Sequence, residues 1–167
     1  MRVLLKMTLD CEPDAAWRAI RRPSVLNEVS SPLSRFVSLE EDGFPELWPE
    51  GPHPVRMLAA NSLVVGDQVI DVSYIVKPGR GDEPRVRIMR DFGHGLSGPL
   101  TIPTRWEHSM AISAAPGNKT LYRDQLVFET GPLGPLLWPA YWVFWQWRAQ
   151  GIRRLAPGWQ APATAEA

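Results

Sequence analysis

Four segments, 67–76, 85–92, 104–115 and 119–130, carry charged or small polar residues at one parity and mostly apolar residues at the other. Asp67, Asp71, Ser73, Arg85, Arg87, Asp91, Arg105, Glu107, Ser109, Arg123, Gln125 and Glu129 fall on one side. Ile70, Val72, Tyr74, Val76, Val86, Ile88, Phe92, Trp106, Met110, Ile112, Tyr122, Leu126 and Phe128 fall on the other. A period of two belongs to extended chain, so these segments predict a sheet with one wet face and one covered face. The cover is predicted at 133–155, where Leu133, Leu136, Leu137, Ala140, Phe144, Trp147 and Ile152 recur at helical spacing. Four residues break the apolar parity of the strands: Gln68, Arg90, His108 and Asp124. They decide between a solid core and the wall of a pocket.

The other elements follow from local signals. Val3, Leu5, Met7 and Leu9 alternate with Arg2, Lys6 and Thr8, which predicts an opening strand. Glu12-Pro13-Asp14 starts a helix, with proline where no amide partner is needed and an acid at the positive end. Trp17 and Ile20 form its buried stripe, and a second short helix is expected over 24–29. A strand at 35–40 precedes an acidic, proline- and glycine-rich stretch, 41–54, whose large apolar groups are Phe44 and Trp48 with Leu47 beside them. That stretch reads either as a solvated excursion or as a lid. Residues 55–65 fit strand and helix equally, and Gly93-His94-Gly95 reads as a flexible turn.

One register can be predicted outright. Trp106, His108, Met110 and Ile112 share a face with Tyr122, Asp124, Leu126 and Phe128 only if the connecting loop has an odd number of residues. Pro116-Gly117-Asn118 satisfies this, with Asn tolerating the left-handed conformation. Met110 then lies opposite Asp124, and His108 opposite Leu126.

Composition removes whole classes of function. A formal net charge of zero leaves no electrostatic footprint for nucleic acid. A single cysteine, Cys11, excludes an internal disulfide framework and a multi-thiolate zinc site. His53, His94 and His108 have no ligand-like spacing, and no phosphate-binding glycine motif or nucleophile elbow is present, so neither a metal nor another cofactor is expected. The apolar stretch 133–147 contains Gly, two Pro and Gln and falls short of the ~20 residues that span a bilayer. The N-terminal MRVLLKMTLD reads as a strand, not a cleaved leader. The expectation is one cytoplasmic domain over 1–156 with a disordered tail, 157–167.

In order, the chain reads strand, two short helices, antiparallel meander, long C-terminal helix. Together with Glu12-Pro13-Asp14-Ala15-Ala16-Trp17, with Thr104-Arg105-Trp106-Glu107-His108 beside Thr120-Leu121-Tyr122-Arg123-Asp124, and with Gly131-Pro132-Leu133-Gly134 leading to Arg153-Arg154-Leu155, this order resembles the START-like helix-grip (SRPBCC) superfamily. That group includes lipid-transfer domains, polyketide aromatase/cyclases and plant pathogenesis-related allergens. The resemblance implies an α+β helix-grip fold, a curved antiparallel sheet of six or seven strands around the last helix. It also implies a cavity between sheet and helix. The acidic 41–54 loop departs from the shorter connection expected there.

The residues support a cavity independently. A dry hole of about 300 Å³ would cost roughly 7 kcal/mol, close to the ~5–15 kcal/mol stability of a whole domain. A chain that keeps such a hole lines it with some polar groups or keeps it occupied. The predicted lining is Gln68, Tyr74, Arg90, Trp106, His108, Met110, Tyr122, Asp124, Phe128 and Phe144. Arg90 and Asp124 form either a structural ion pair or a ligand-binding pair, with Arg90 receiving a carboxylate or enolate oxygen. His108 and Asp124 are the candidates for proton transfer. Trp138, Trp142 and Trp145 lie beside the helix stripe, and an exposed subset would suit a dimer contact or a peripheral membrane foothold. The expected partner is a hydrophobic or amphipathic small molecule bound by a monomer or homodimer. The alternatives are an aromatase/cyclase- or dehydratase-like enzyme and a protein-interaction module.

Overall fold

The computed structural model describes residues 1–60, 62–81 and 83–159. The opening strand β1 (Arg2–Leu9) leads into α1 (Pro13–Ile20) and α2 (Pro23–Ser30), each with a proline in its first turn. There follow β2 (Ser34–Ser38), β3 (Gly51–Ala59), β4 (Leu63–Lys77), β5 (Val86–Asp91), the two-residue β6 (His94–Gly95), β7 (Arg105–Ala115), β8 (Lys119–Glu129) and the long helix α3 (Gly134–Leu155). The antiparallel sheet runs β1-β8-β7-β5-β4-β3-β2, with β6 added on β4. Helices sit on one face of this seven-strand path, as the alternation predicts. The ambiguous 55–65 segment is strand, turn and strand, with a bulge after Met57.

The β7–β8 hairpin has the predicted register: His108 pairs with Leu126 and Met110 with Asp124 across a Pro116-Gly117-Asn118 turn. Asn118 takes φ 55°, the left-handed conformation that Asn accepts at low cost. Trp106, His108, Met110, Tyr122, Asp124, Leu126 and Phe128 therefore face α3 together.

Two phases differ from the sequence reading. In β5 the inward parity is Arg87, Met89 and Asp91, not Ile88, Arg90 and Phe92. Met89 stands opposite Met110 and Asp91 opposite His108. Arg87 lies against the Trp17 ring and pairs with Asp14 of α1 at 2.6 Å. Arg90 instead folds over Phe92 on the outer face, 3.9 Å from the ring centre. Two aliphatic residues and Phe92 on one parity outvoted Met89 on the other. The guanidinium covering Phe92 shows why that apolar parity survives on the wet side.

In α3 the stripe is rotated. Trp145 is buried at 2% exposure and Trp147 is 39% exposed, the reverse of their expected places. Leu136, expected in the stripe, is 75% exposed. The inward face includes Phe144, Trp145, Arg148, Ala149 and Ile152. Gly151 lets α2 come close: a Cβ there would meet Val29 backbone and side chain at 3.1–3.3 Å. Trp138 and Trp142 stack on each other beside this face, with Trp138 donating to the Arg2 carbonyl of β1 and Trp142 exposed.

Two apolar clusters result. The larger joins the helices to the sheet around Leu9, Trp48, Val55, Val72, Ile112, Tyr122 and Ile152; the smaller holds Val3, Leu126, Phe128 and Trp145. Trp159 packs against the larger, so ordered chain extends beyond 156. The rest of the expected tail lies outside the described residues. No helix among the described residues is long and apolar enough to cross a membrane.

Candidate functional site

Between the concave sheet and α3 lies a cavity of about 410 Å³. One end is closed by Phe36, Trp48, Met57 and residues of α2; the other reaches Ile102, Pro103, Leu137 and Ala140. Ile102 and Ala140 are exposed, so the cavity communicates with solvent between the 98–103 segment and the start of α3. Glycines permit that segment to lie on β4. A side chain at Gly93 or Gly95 would collide with the carbonyls of Val69 or Leu100, so the expected flexible turn is a fixed piece of the wall.

The 41–54 stretch is a strap and not a loose excursion. Its last four residues belong to β3. The Trp48 amide donates to the Arg21 carbonyl at 2.8 Å, and the Tyr74 hydroxyl donates to the Trp48 carbonyl. Arg18 and Arg22 both reach Glu46, and Glu50 accepts from the Tyr74 amide. These bonds seat the Trp48 ring as the inner end wall.

Polar groups gather midway along the cavity. Gln68, Asp91, His108 and Arg148 line it, among Met89, Met110, Phe144 and Trp145. Behind them sits Asp124, 1% exposed and outside the lining. One Asp124 oxygen accepts from His108 Nε2 and from Trp145 Nε1, both at 2.9 Å; the other accepts from the Tyr122 hydroxyl at 2.7 Å. Burial acts to raise the Asp124 pKa. The His108 charge and hydrogen bond, the Arg148 charge and the Trp145 N–H outweigh it and hold the carboxyl at about 2. Burial and the neighbouring carboxylate push the Tyr122 phenol well up, so it stays a donor.

An ionised, acceptor-only Asp124 assigns the His108 tautomer through the network: Nε2 carries the proton it donates. No hydrogen bond among the described residues uses Nδ1, and the ring lines the cavity. Asp91 is half-buried, and its desolvation raises its pKa against the opposing pull of His108. Its oxygens accept from the Asp71 and Gly93 amides and, at 3.3 Å, from Trp106 Nε1.

The predicted lining is thus brought together in part. Gln68, Trp106, His108, Met110 and Phe144 reach the cavity. Tyr122, Asp124 and Phe128 point the right way but lie one layer deeper, with Phe128 packed on Tyr141 at 4.5 Å. Tyr74 serves the strap, its ring edge-on to Trp17. Arg90 is on the outer face and makes no pair with Asp124; His108, Trp145 and Tyr122 take that place.

Sequence reasoning missed Asp91, Arg148 and Trp145. A signal existed for Arg148, which lies midway between Phe144 and Ile152 at successive spacings of four. Both flanking residues were assigned to the buried stripe, so the residue between them shares their face. Asp91 precedes Gly93 by two, the spacing at which Asp bonds its own backbone. Nothing in the sequence separates Trp145 from Trp147. His53 is engaged elsewhere, with Glu40 and the Pro49 carbonyl at 3.0 Å each. Cys11 is a buried thiol whose pKa burial raises. Among the described residues no group of three His, Cys, Asp or Glu could hold a metal ion.

No family model and no curated protein sequence matches this chain. Solved structures do. A protein from Chromobacterium violaceum superposes with TM-score 0.59 at 16% identity, over 93% of this chain and 97% of that one. Ara h 8.0201 gives 0.54 at 14% identity, over 95% of each chain. A Thalictrum norcoclaurine synthase point mutant, solved with a transition-state analogue, gives 0.56 at 11% identity over 93% of each. The chain has the helix-grip fold. At these identities the likeness is one of fold, and the chemistry of this helix-grip cavity rests on its own residues.

Proposed function

We propose that this protein binds a hydrophobic or amphipathic small molecule, of lipid, polyketide or isoprenoid type, in the cavity between the sheet and α3. The observation that carries the reading is the preserved volume. A dry hole of this size would cost about 10 kcal/mol, comparable with the entire stability of a domain. Its size falls within the ~300–1,000 Å³ range of ligand pockets, and an apolar wall with a few convergent polar groups is the composition such pockets share. Apolar area supplies affinity, at about 25 cal/mol per Å² removed from water, and the His108–Arg148 side supplies orientation. Native mass spectrometry of purified protein tests this. The expected result is a dissociable organic adduct, or thermal stabilisation by members of a lipid and aromatic panel. No adduct and no stabilisation would overturn it.

A second reading, an aromatase/cyclase- or dehydratase-like enzyme, is favoured by one observation: the ionised Asp124 behind His108. A buried carboxylate on one ring nitrogen fixes the tautomer and leaves the other nitrogen as proton acceptor, the arrangement of a general base. His108→Ala should then abolish any demonstrated turnover on a polyketide-like substrate while retaining ligand binding. Unchanged turnover would remove the base. The interaction-module alternative retains an exposed apolar patch on α3, Leu136, Trp142, Val143 and Trp147, but such a module has no need of the cavity.

A further inference from the structure

Resting on the ligand-binding reading above, we propose that the ligand is an organic acid: an apolar body bearing one oxyanion head, received by the guanidinium of Arg148. Arg148 is 5% exposed and lines the cavity. Its Nε is buried without a hydrogen-bond partner. None of the ion pairs among the described residues includes it. The buried Asp124 acts on it through charge alone, its oxygens being occupied by His108, Trp145 and Tyr122. The Asp124 charge therefore compensates Arg148 only in part; a buried cation without a hydrogen-bonded partner is costly, and stacking over Trp145, 5.1 Å from guanidinium carbon to ring centre, offsets only some of that cost.

The same Trp145 ring carries His108 edge-on, with ring centres 5.3 Å apart. One indole therefore holds Arg148 and His108 on a common platform. The guanidinium presents a planar fork of donors that matches two oxygens of a carboxylate or sulfonate. Protonated at Nδ1, His108 adds a further donor. Met89, Met110 and Phe144 provide apolar surface for the body of the ligand. An acid seated there supplies the hydrogen-bonded counter-charge that the fold withholds from Arg148. The strand-borne Arg90, the sequence's own candidate for this role, is on the opposite face of the sheet.

The test compares two probes of one skeleton, 8-anilinonaphthalene-1-sulfonate and its uncharged parent N-phenyl-1-naphthylamine. Titrations use the full chain and Arg148→Met and Arg148→Lys variants. The wild type is expected to prefer the anion by at least about tenfold. Arg148→Met should lose that preference while keeping affinity for the neutral probe within about threefold, and Arg148→Lys should restore part of it. Without ligand, Arg148→Met should melt near the wild-type temperature, because the desolvation cost of the guanidinium disappears together with its attraction for Asp124. Equal wild-type affinity for both probes, with a ratio unmoved by Arg148→Met, would show a guanidinium merely held by water. That overturns the acid-head proposal and leaves ligand binding standing. Binding of neither probe by the wild type would overturn both. If Arg148→Met does not fold, the wild-type ratio and Arg148→Lys still decide.

Discussion

Replacing Asp124 by Asn tests the network on which the polar side of the cavity is built. The carboxylate accepts three hydrogen bonds from side chains in a buried site. Asn keeps one acceptor oxygen and places a donor amide where the other stood, so the Tyr122 hydroxyl must turn from donor to acceptor and the bonds from His108 and Trp145 lose their ionised partner. Hydrogen bonds to an ionised group are each worth about 1.5–3 kcal/mol, and breaking a buried charged pair costs about 3–5 kcal/mol. Re-pairing of the Asn amide with the Tyr122 hydroxyl softens the loss, so the lower end applies, about 3 kcal/mol. For a domain of this size that is a fall of about 6–12 °C in melting temperature. A pH signature accompanies it. The folded-state pKa is held below its ordinary value, at about 2 against 3.8. The carboxylate's contribution is therefore complete above the unfolded-state pKa and is lost as pH falls through the folded one. That contribution, about 2 kcal/mol at neutral pH, should vanish between roughly pH 4 and pH 2. Urea titrations of wild type and Asp124→Asn across this range should give a stability gap that narrows with acid. A gap under about 0.5 kcal/mol at pH 7, or one that does not change down to pH 2, would refute the reasoning.

Two further perturbations probe the frame around the site. Tyr74→Phe removes the bond from the hydroxyl to the Trp48 carbonyl, costing about 1 kcal/mol; amide exchange at Trp48 should quicken about fivefold, whereas an unchanged rate would mean the strap does not depend on Tyr74. Gly151→Ala should gain about 1 kcal/mol of helix propensity but push a methyl to 3.1 Å from the Val29 backbone. Overpacking costs of about 1–3 kcal/mol make the net a loss, so a rise in the urea midpoint would show that α2 yields freely.

The β7–β8 wall was legible because parity and an odd-length turn fix register together. One slip there would place Asp124 and Arg123 on each other's faces. Strand β5 was not legible, because both of its parities mix apolar and charged residues. Cation stacking over Phe92 makes an outer face look like an inner one. Helix α3 is apolar around most of its circumference, with Leu136, Trp142, Val143 and Trp147 exposed. Its stripe therefore has no sharp phase. Arg148, the arginine that matters most for the cavity, stands near Arg153 and Arg154 at the helix end, where cations are expected for the dipole alone. Trp48 could be placed only by the bonds of its strap, which no periodicity encodes.

The five methionines offer the most direct test of the cavity as the binding site. Met57, Met89 and Met110 line it, Met7 lies in the core away from it, and Met1 packs at the start of α3 beside the outer tryptophans. In a protein with 13C-labelled methionine methyls, titration with N-phenyl-1-naphthylamine should shift Met57, Met89 and Met110 with one common dissociation constant and leave Met1 in place. Shifts confined to Met1, or none at all, would contradict a ligand held between the sheet and α3.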